Sequence, residues 1–163
     1  MSFTDLAKKR CSIRAYDPDP VEPDKIAAIV EAAHVAPSAA NRQPVRLIQV
    51  ESAEGLANLG RYANLYGAPL AFIVCADAER AWKRPVDGMV STAIDASITC
   101  DHMMIAATDL GLGSVWICAF DPAGVREAFN LPASLVPVNI LAVGHAADEW
   151  NVTRSSASPC KSW

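Results

Sequence analysis

Hydrophobic and polar residues follow a helical period in several stretches of this chain. Ile26, Ile29, Val30 and Ala33 recur at the i, i+3, i+4, i+7 spacing that places them on one face of an amphipathic helix. Pro37 ends this helix, because proline lacks the N–H group that a helix interior needs. Cap residues and apolar spacing predict shorter helices from an N-cap at Thr4 to Lys9, over 53–62 and over 121–129.

Other stretches have the pattern of β-strands. Residues 45–50 alternate apolar and polar side chains, and residues 70–76 form the continuous apolar run typical of a strand buried on both faces. Residues 114–119 and 136–143 are two further predicted strands. Strands and helices mixed in this way predict an α+β fold. Because helices separate the strands, a doubly wound α/β fold is the structural alternative.

The longest predicted helix covers residues 90–110 and is apolar nearly all round, which predicts that it is covered on every side. Asp95, Asp101 and His102 interrupt its apolar run and argue against a membrane span. The three histidines of the chain, His34, His102 and His145, have no clustered partner in the sequence and are expected to be structural.

Composition adds constraints on size, partners and location. The 163 residues fit one domain (1–163) with an irregular tail at 145–163, and a hydrophobic fraction of 52% indicates an additional buried surface such as a subunit interface. The formal net charge of −4 argues against nucleic-acid binding. Five cysteines without metal-binding spacing, and an N-terminus without an apolar signal segment, favour the cytoplasm and predict no metal site.

Arg10, Ser12 and Arg14 form the first candidate binding motif. The planar guanidinium group suits phosphate oxygens, and the serine hydroxyl adds a further donor. Taken alone, the motif fits a solvated basic turn better, since Lys8 and Lys9 precede it.

The second motif is the loop between Pro37 and Pro44. Asn41 and Gln43 offer side-chain amides that match the alternating polar edge of a pyrimidine-like ring. The alternative is that Ser38 and Asn41 satisfy backbone groups of a turn, which the loop alone favours.

The third motif combines Gly111 and Gly113 with the strand that follows them. Glycine permits a close backbone approach, and the end of the strand can present N–H groups. Trp116 can pack on a flat cofactor, but most buried tryptophans pack in the core.

Together and in this order, the motifs resemble the flavin-dependent nitroreductase family. The family's marks are an R-x-S-x-R run, an A-P-S-A-x-N-x-Q-P loop and a late L-A-A-x-x-L-G-L-G-x-x-W-I segment. The corresponding segments here are 10–14, 36–44 and 105–117, and weaker matches include Ala68-Pro69, Asp95, Leu131-Pro132 and 136–144. The resemblance spans about residues 8–145.

The resemblance implies a nitroreductase-like α+β fold with a mostly antiparallel sheet of four to five strands flanked by helices. It also implies a homodimer with FMN at the subunit interface. The first group of expected FMN contacts, to the phosphate and ribityl chain, is Arg10, Cys11, Ser12 and Arg14. The loop expected to reach the ring from the partner subunit contains Pro37, Ser38, Ala39, Asn41 and Gln43. The strand end expected near flavin N5 and O4 contains Trp116, Ile117, Cys118 and Ala119.

Three positions depart from the family pattern. Val45 replaces a common aromatic residue, and Cys118 stands where some longer members have an acidic residue beside the nicotinamide. The tail lacks the usual basic arm for the phosphate, and Arg154 is the expected substitute.

The activity that the resemblance implies is an NAD(P)H-dependent oxidoreductase. Hydride passes from NAD(P)H to flavin N5 and then, in a ping-pong cycle, to a nitroaromatic, a quinone or a similar electron-poor acceptor. No side chain is assigned as a catalytic acid or base, because the flavin carries the redox chemistry. The alternatives are a flavin-binding or storage protein, or dehalogenation or flavin cleavage on the same scaffold.

Overall fold

A four-stranded sheet lies at the centre of the computed structural model, which describes residues 2–147. The helices are α1 (Phe3–Lys9), α2 (Pro23–His34), α3 (Ala53–Leu59), α4 (Thr92–Asp109) and α5 (Pro122–Ala128). The strands are β1 (Val45–Val50), β2 (Leu70–Asp77), β3 (Gly113–Ile117) and β4 (Leu135–Gly144). A short 3-10 turn, Ala39–Asn41, precedes β1.

Every pair of neighbouring strands in the sheet is antiparallel. The order is β1-β2-β4-β3, so β2 and β4 are central and β1 and β3 form the two edges. The α+β prediction is therefore confirmed. The doubly wound alternative is wrong, because it requires a mostly parallel sheet.

Helices cover both faces of the sheet. On one face, Phe72 and Leu141 pack in a core with residues of α2 and α4. On the other face, Ile73 and Ile140 pack with residues of α3 and α5. Since successive side chains of a strand point to opposite faces, β2 supplies both cores, which confirms the prediction that this strand is buried on both faces.

The long helix α4 is covered on one side within the chain. Its inner side carries Cys100 and Met103, both fully buried. Its outer side carries Ile94, which is 49% exposed, and the half-buried Ile98 and Ile105. A single chain does not test the prediction that the helix is covered on every side, because its apolar outer side can contact another protein. No helix among residues 2–147 is long and apolar enough to cross a membrane.

Several element ends differ from the predictions because local contacts decide them. Ser2, not Thr4, caps α1: its hydroxyl accepts a hydrogen bond from the Asp5 N–H, and the Asp5 carboxylate accepts one from the Ser2 N–H. The third helix ends at Leu59 rather than at residue 62, and β3 ends at Ile117 rather than at residue 119.

Candidate functional site

The segment from Arg10 to Arg14 lies beside the first residues of β3. Ser12 forms a parallel bridge with Ser114, and the Ile13 N–H donates to the Ser114 carbonyl at 2.9 Å. Ile13 is only 3% exposed, whereas Arg14 is exposed. The buried isoleucine therefore anchors the segment and leaves the Arg14 guanidinium group at the surface. Arg10, Cys11 and Ser12 are partly exposed.

Two contacts hold this segment in place. A Cβ atom added at Gly113 would lie 2.7 Å from Cγ1 of Ile13, so the absence of a side chain at Gly113 allows the close approach. The Tyr16 hydroxyl donates to the Ile13 carbonyl at 2.9 Å. Burial raises the pKa of Tyr16 far above its ordinary range, in spite of the opposite effect of nearby Arg14, so this hydroxyl keeps its proton.

The outer edge of β3 carries backbone groups that point away from the sheet. The Ser114 carbonyl points outward to Ile13, and backbone groups alternate in direction along a strand, so Trp116 presents its N–H on the same outer edge. No segment of residues 2–147 pairs with this edge between Val115 and Ile117. Cys118 and Ala119, directly after β3, are exposed. This strand end can therefore offer backbone donors to a ligand.

The side chain of Trp116 packs against the core between the sheet and α4. Of the two possibilities for this residue, the structure favours core packing over stacking on a cofactor. Trp116 Nε1 and both amide atoms of the fully buried Asn139 have no hydrogen-bond partner among the described residues. Asn139 was not predicted as a site residue, because a single asparagine in an apolar strand has no distinguishing pattern.

A cavity of about 640 Å³ opens beside the end of β3. It is lined by residues 60–68 together with Leu56 and Ala119. Its volume lies within the range of roughly 300–1,000 Å³ that is typical of ligand pockets. The Arg14 guanidinium carbon lies 6.0 Å from the centroid of the Tyr66 ring, which lines the cavity. This segment was not predicted as part of a site, although Asn64 and Gly67 are turn residues that could have indicated it.

Hydrogen bonds within the loop of the second motif hold its backbone together. The Asn41 N–H donates to the Ser38 carbonyl at 3.0 Å, and the Gln43 N–H donates to the Ser38 hydroxyl oxygen at 2.9 Å. This confirms that Ser38 satisfies backbone groups of a turn. The side chains of Asn41 and Gln43 are exposed, as is Pro37, and Ala39 is half-buried.

The first and second motifs lie at opposite ends of α4. Ala39 donates its N–H to Asp95 in the first turn of α4, whereas Ser12 pairs with Ser114, five residues after α4 ends. The 18 residues of α4 span about 27 Å at 1.5 Å per residue. The loop leads into β1, and two strands, or about 14 Å, separate β1 from β3. One chain therefore brings the first and third motifs together but not the second.

The remaining predicted residues have other positions. Arg154 lies outside the described residues. His145 Nε2 lies 3.1 Å from Glu22 Oε2, in agreement with the structural role expected for this histidine. The contact joins the end of β4 to the start of α2, which is a structural role. The sequence could not indicate it, because the two residues are 123 positions apart.

Comparisons with known proteins point to one family. A family model described as "Nitroreductase family" matches residues 7–64 and 50–145. A nitroreductase family protein from Clostridium difficile 630 superposes with a TM-score of 0.89 at 46% identity, covering 99% of this chain and 88% of that one.

Two further similar proteins have more specific names. An FMN-dependent nitroreductase from Clostridium difficile R20291 superposes with a TM-score of 0.75 at 26% identity, covering 96% of this chain and 98% of that one. FMN reductase [NAD(P)H] from Bacillus subtilis is 33% identical over 84% of this chain and 63% of its own length.

Proposed function

Since the chain belongs to the nitroreductase family, we propose that it is an FMN-dependent oxidoreductase. Its proposed reaction takes hydride from NAD(P)H and reduces an electron-poor small molecule such as a nitroaromatic or a quinone. The observation that carries the proposal is the position of the Arg10–Arg14 segment beside both an open strand edge and a cavity.

The chemistry of these groups fits FMN. Arg14 and Arg10 can hold the phosphate with charge-assisted hydrogen bonds, and the Ser12 hydroxyl can donate another. The outward N–H of Trp116 and the exposed backbone of Cys118 and Ala119 can donate to the polar edge of the isoalloxazine ring. Donors placed where negative charge develops stabilise the reduced ring.

When bound, FMN would supply the hydride-transfer chemistry of the proposed reaction. The Arg10–Arg14 segment and the end of β3 would bind and orient the flavin. No side chain is assigned a proton-transfer role.

We further propose a homodimer that completes the site. Ile94, Ile98 and Ile105 give α4 an apolar outer side that a partner can bury. In a two-fold dimer the same patch packs on both subunits. If the two α4 helices pack antiparallel, the loop at the start of one helix comes close to the Arg10–Arg14 segment at the end of the other. Two-fold packing of α4 would thus supply the loop that one chain does not.

The test begins with the absorbance spectrum of the purified full-length chain. We expect a yellow protein that releases intact FMN on denaturation. Anaerobic addition of NADH or NADPH should bleach the flavin, and a nitroaromatic or quinone should restore its colour. Bound FAD, a haem, or no binding after FMN supplementation would contradict the proposal. FMN that neither nucleotide reduces would instead support flavin storage.

A further inference from the structure

We propose that Asp95 is a positioning residue that holds the Ser38–Gln43 loop in its ligand-binding conformation. The inference rests on the proposed function, because it assigns to that loop the contact with the flavin ring. Asp95 itself is fully buried, in the first turn of α4. Its role is therefore to act through the loop.

The two oxygens of the Asp95 carboxylate have different partners. Oδ1 accepts a hydrogen bond from the Ala39 N–H at 2.8 Å, and Oδ2 accepts one from the Ser91 hydroxyl at 2.7 Å. Ser91 is also fully buried and precedes the first residue of α4. The serine therefore orients the carboxylate, and the carboxylate holds the first residue of the 3-10 turn.

The loop needs such support because its backbone is strained. Ala40, Asn41 and Gln43 have φ values of 48°, 51° and 48°. Residues with a Cβ atom rarely adopt this left-handed conformation, and they keep it only where surrounding contacts enforce it. The bonds of the Asn41 and Gln43 N–H groups to Ser38 lie within the loop, whereas the bond of Ala39 to Asp95 joins the loop to the rest of the fold.

The burial of Asp95 also needs an explanation. A buried carboxylate is costly unless it is well paired, and no Lys, Arg or His among residues 2–147 forms an ion pair with Asp95. An apolar residue at this position would serve the core better. The hydrogen bond to Ala39 accounts for a carboxylate at this site.

The hydrogen bond between Ala39 and Asp95 also changes which groups of the loop are expected to bind a ligand. The Ala39 N–H is used by Asp95, and the N–H groups of Asn41, Arg42 and Gln43 are used inside the loop. These backbone N–H groups therefore hold the loop in its conformation. The exposed side-chain amides of Asn41 and Gln43 remain available to a ligand.

The test compares three full-length variants with the parent. Asp95→Ala removes both hydrogen bonds, and Asp95→Asn keeps an oxygen for Ala39 and an amide that can donate to Ser91. Glu54→Ala, which removes an exposed carboxylate from α3, is the control. The first measurement is amide hydrogen exchange at residues 39–43, which does not require catalytic turnover, and the second is FMN affinity.

In Asp95→Ala we expect the amides of residues 39–43 to exchange roughly tenfold faster or more than in the parent. We also expect this variant to bind FMN roughly tenfold more weakly. Asp95→Asn should stay close to the parent, and Glu54→Ala should not differ from it. Loop exchange in Asp95→Ala equal to that of the parent, or an equal effect of Glu54→Ala, would overturn the proposal.

The role of Asp95 can be tested even if Asp95→Ala does not fold or the parent does not bind FMN. If Asp95→Ala fails to fold, Ser91→Ala removes one support of the carboxylate and should speed exchange at Ala39 several-fold; no change there would also overturn the proposal. If the parent binds no FMN, the proposed function fails, but the exchange measurements still decide the role of Asp95.

Discussion

Arg14 combines an exposed guanidinium group with a firmly held backbone, since its neighbour Ile13 is buried. We predict that Arg14→Ala weakens FMN binding by about tenfold or more, because a charge-assisted bond contributes roughly 1.5–3 kcal/mol. Asn41→Ala should weaken binding less and shift the flavin reduction potential more, because a neutral amide bond contributes about 0.5–1.5 kcal/mol. Fluorescence titrations and potentiometry measure both effects.

Arg14→Lys is the matched control, since it keeps the charge and loses the planar guanidinium group that donates two parallel hydrogen bonds. It should bind FMN with intermediate affinity. The melting temperature of the FMN-free protein should change little in either variant at this position, because Arg14 is exposed and its 6.0 Å contact with Tyr66 is weak. Parental affinity in Arg14→Ala would refute the phosphate assignment.

Glu22 is predicted to make the fold sensitive to acid. Its hydrogen bond to Lys25 at 2.7 Å, with a smaller contribution from His145, lowers the pKa of Glu22 from its ordinary 4.5 to about 2. A lowered pKa means that Glu22 stabilises the fold above pH 4.5, and that this stabilisation is lost as the pH falls toward 2.

Glu22→Gln should therefore reduce the loss of stability between pH 4.5 and 2, and Glu79→Gln, an exposed glutamate elsewhere, is the control. Thermal unfolding across this pH range is the measurement. Identical acid profiles for Glu22→Gln and the parent would show that the contact with Lys25 does not matter in solution.

At the scale of the elements, periodicity predicted all five helices and four strands among the described residues. Their centres were predictable because apolar spacing is a local property. Some of their ends were not, because a local capping box decides the start of α1 and tertiary contacts decide other ends. The end of β3 at Ile117 is an example: after it the chain turns, and Phe120 pairs with Ala63, a residue that is distant in the sequence.

Gly113 and Ser114, the first two residues of β3, are predicted to respond differently to replacement by alanine. Gly113→Ala should destabilise the fold by about 1–3 kcal/mol, because its Cβ would lie 2.7 Å from the buried Ile13. It should also weaken FMN binding, because Ile13 anchors the Arg10–Arg14 segment. Ser114→Ala should leave stability unchanged or raise it slightly, since the Ser114 hydroxyl is buried without a partner among the described residues.

Urea unfolding of both variants measures these effects. Equal stability of Gly113→Ala and the parent would mean that Ile13 can move aside without cost, and the proposed anchor would then be unnecessary.

At the scale of the whole molecule, the sequence motifs alone could not locate the site within one chain. The three motifs indicated phosphate and ring contacts, but only tertiary structure shows that the second motif lies at the far end of α4. The contact between Asp95 and Ala39 is equally nonlocal, since it joins residues 56 positions apart. The two-subunit site was an implication of family resemblance, and the separation of the motifs now supports it physically.

The outer side of α4 provides a test of the dimer. We predict that Ile94→Asp, at a residue 49% exposed in the single chain, converts a dimer into a monomer and lowers FMN affinity. A charge buried at an interface without a partner is strongly unfavourable. Val86→Asp is the control, because Val86 is an exposed apolar residue outside the helix. Light scattering with FMN titration decides the result, and a flavin-loaded monomeric parent would exclude the proposed interface.

A hybrid dimer can determine which subunit supplies the loop. When Arg14→Ala and Asn41→Ala chains are co-expressed with different tags and the mixed dimer is isolated, a shared site places both defects in one pocket. The other pocket then combines the intact Arg14 of one chain with the intact Asn41 of the other, so we expect one parental FMN site per dimer. The reciprocal control pairs a parent chain with an Arg14→Ala/Asn41→Ala chain, and there both pockets should be impaired. If Arg14 and Asn41 of the same chain formed each site, the two hybrids would exchange these results, and the proposed contribution of the partner loop would be wrong.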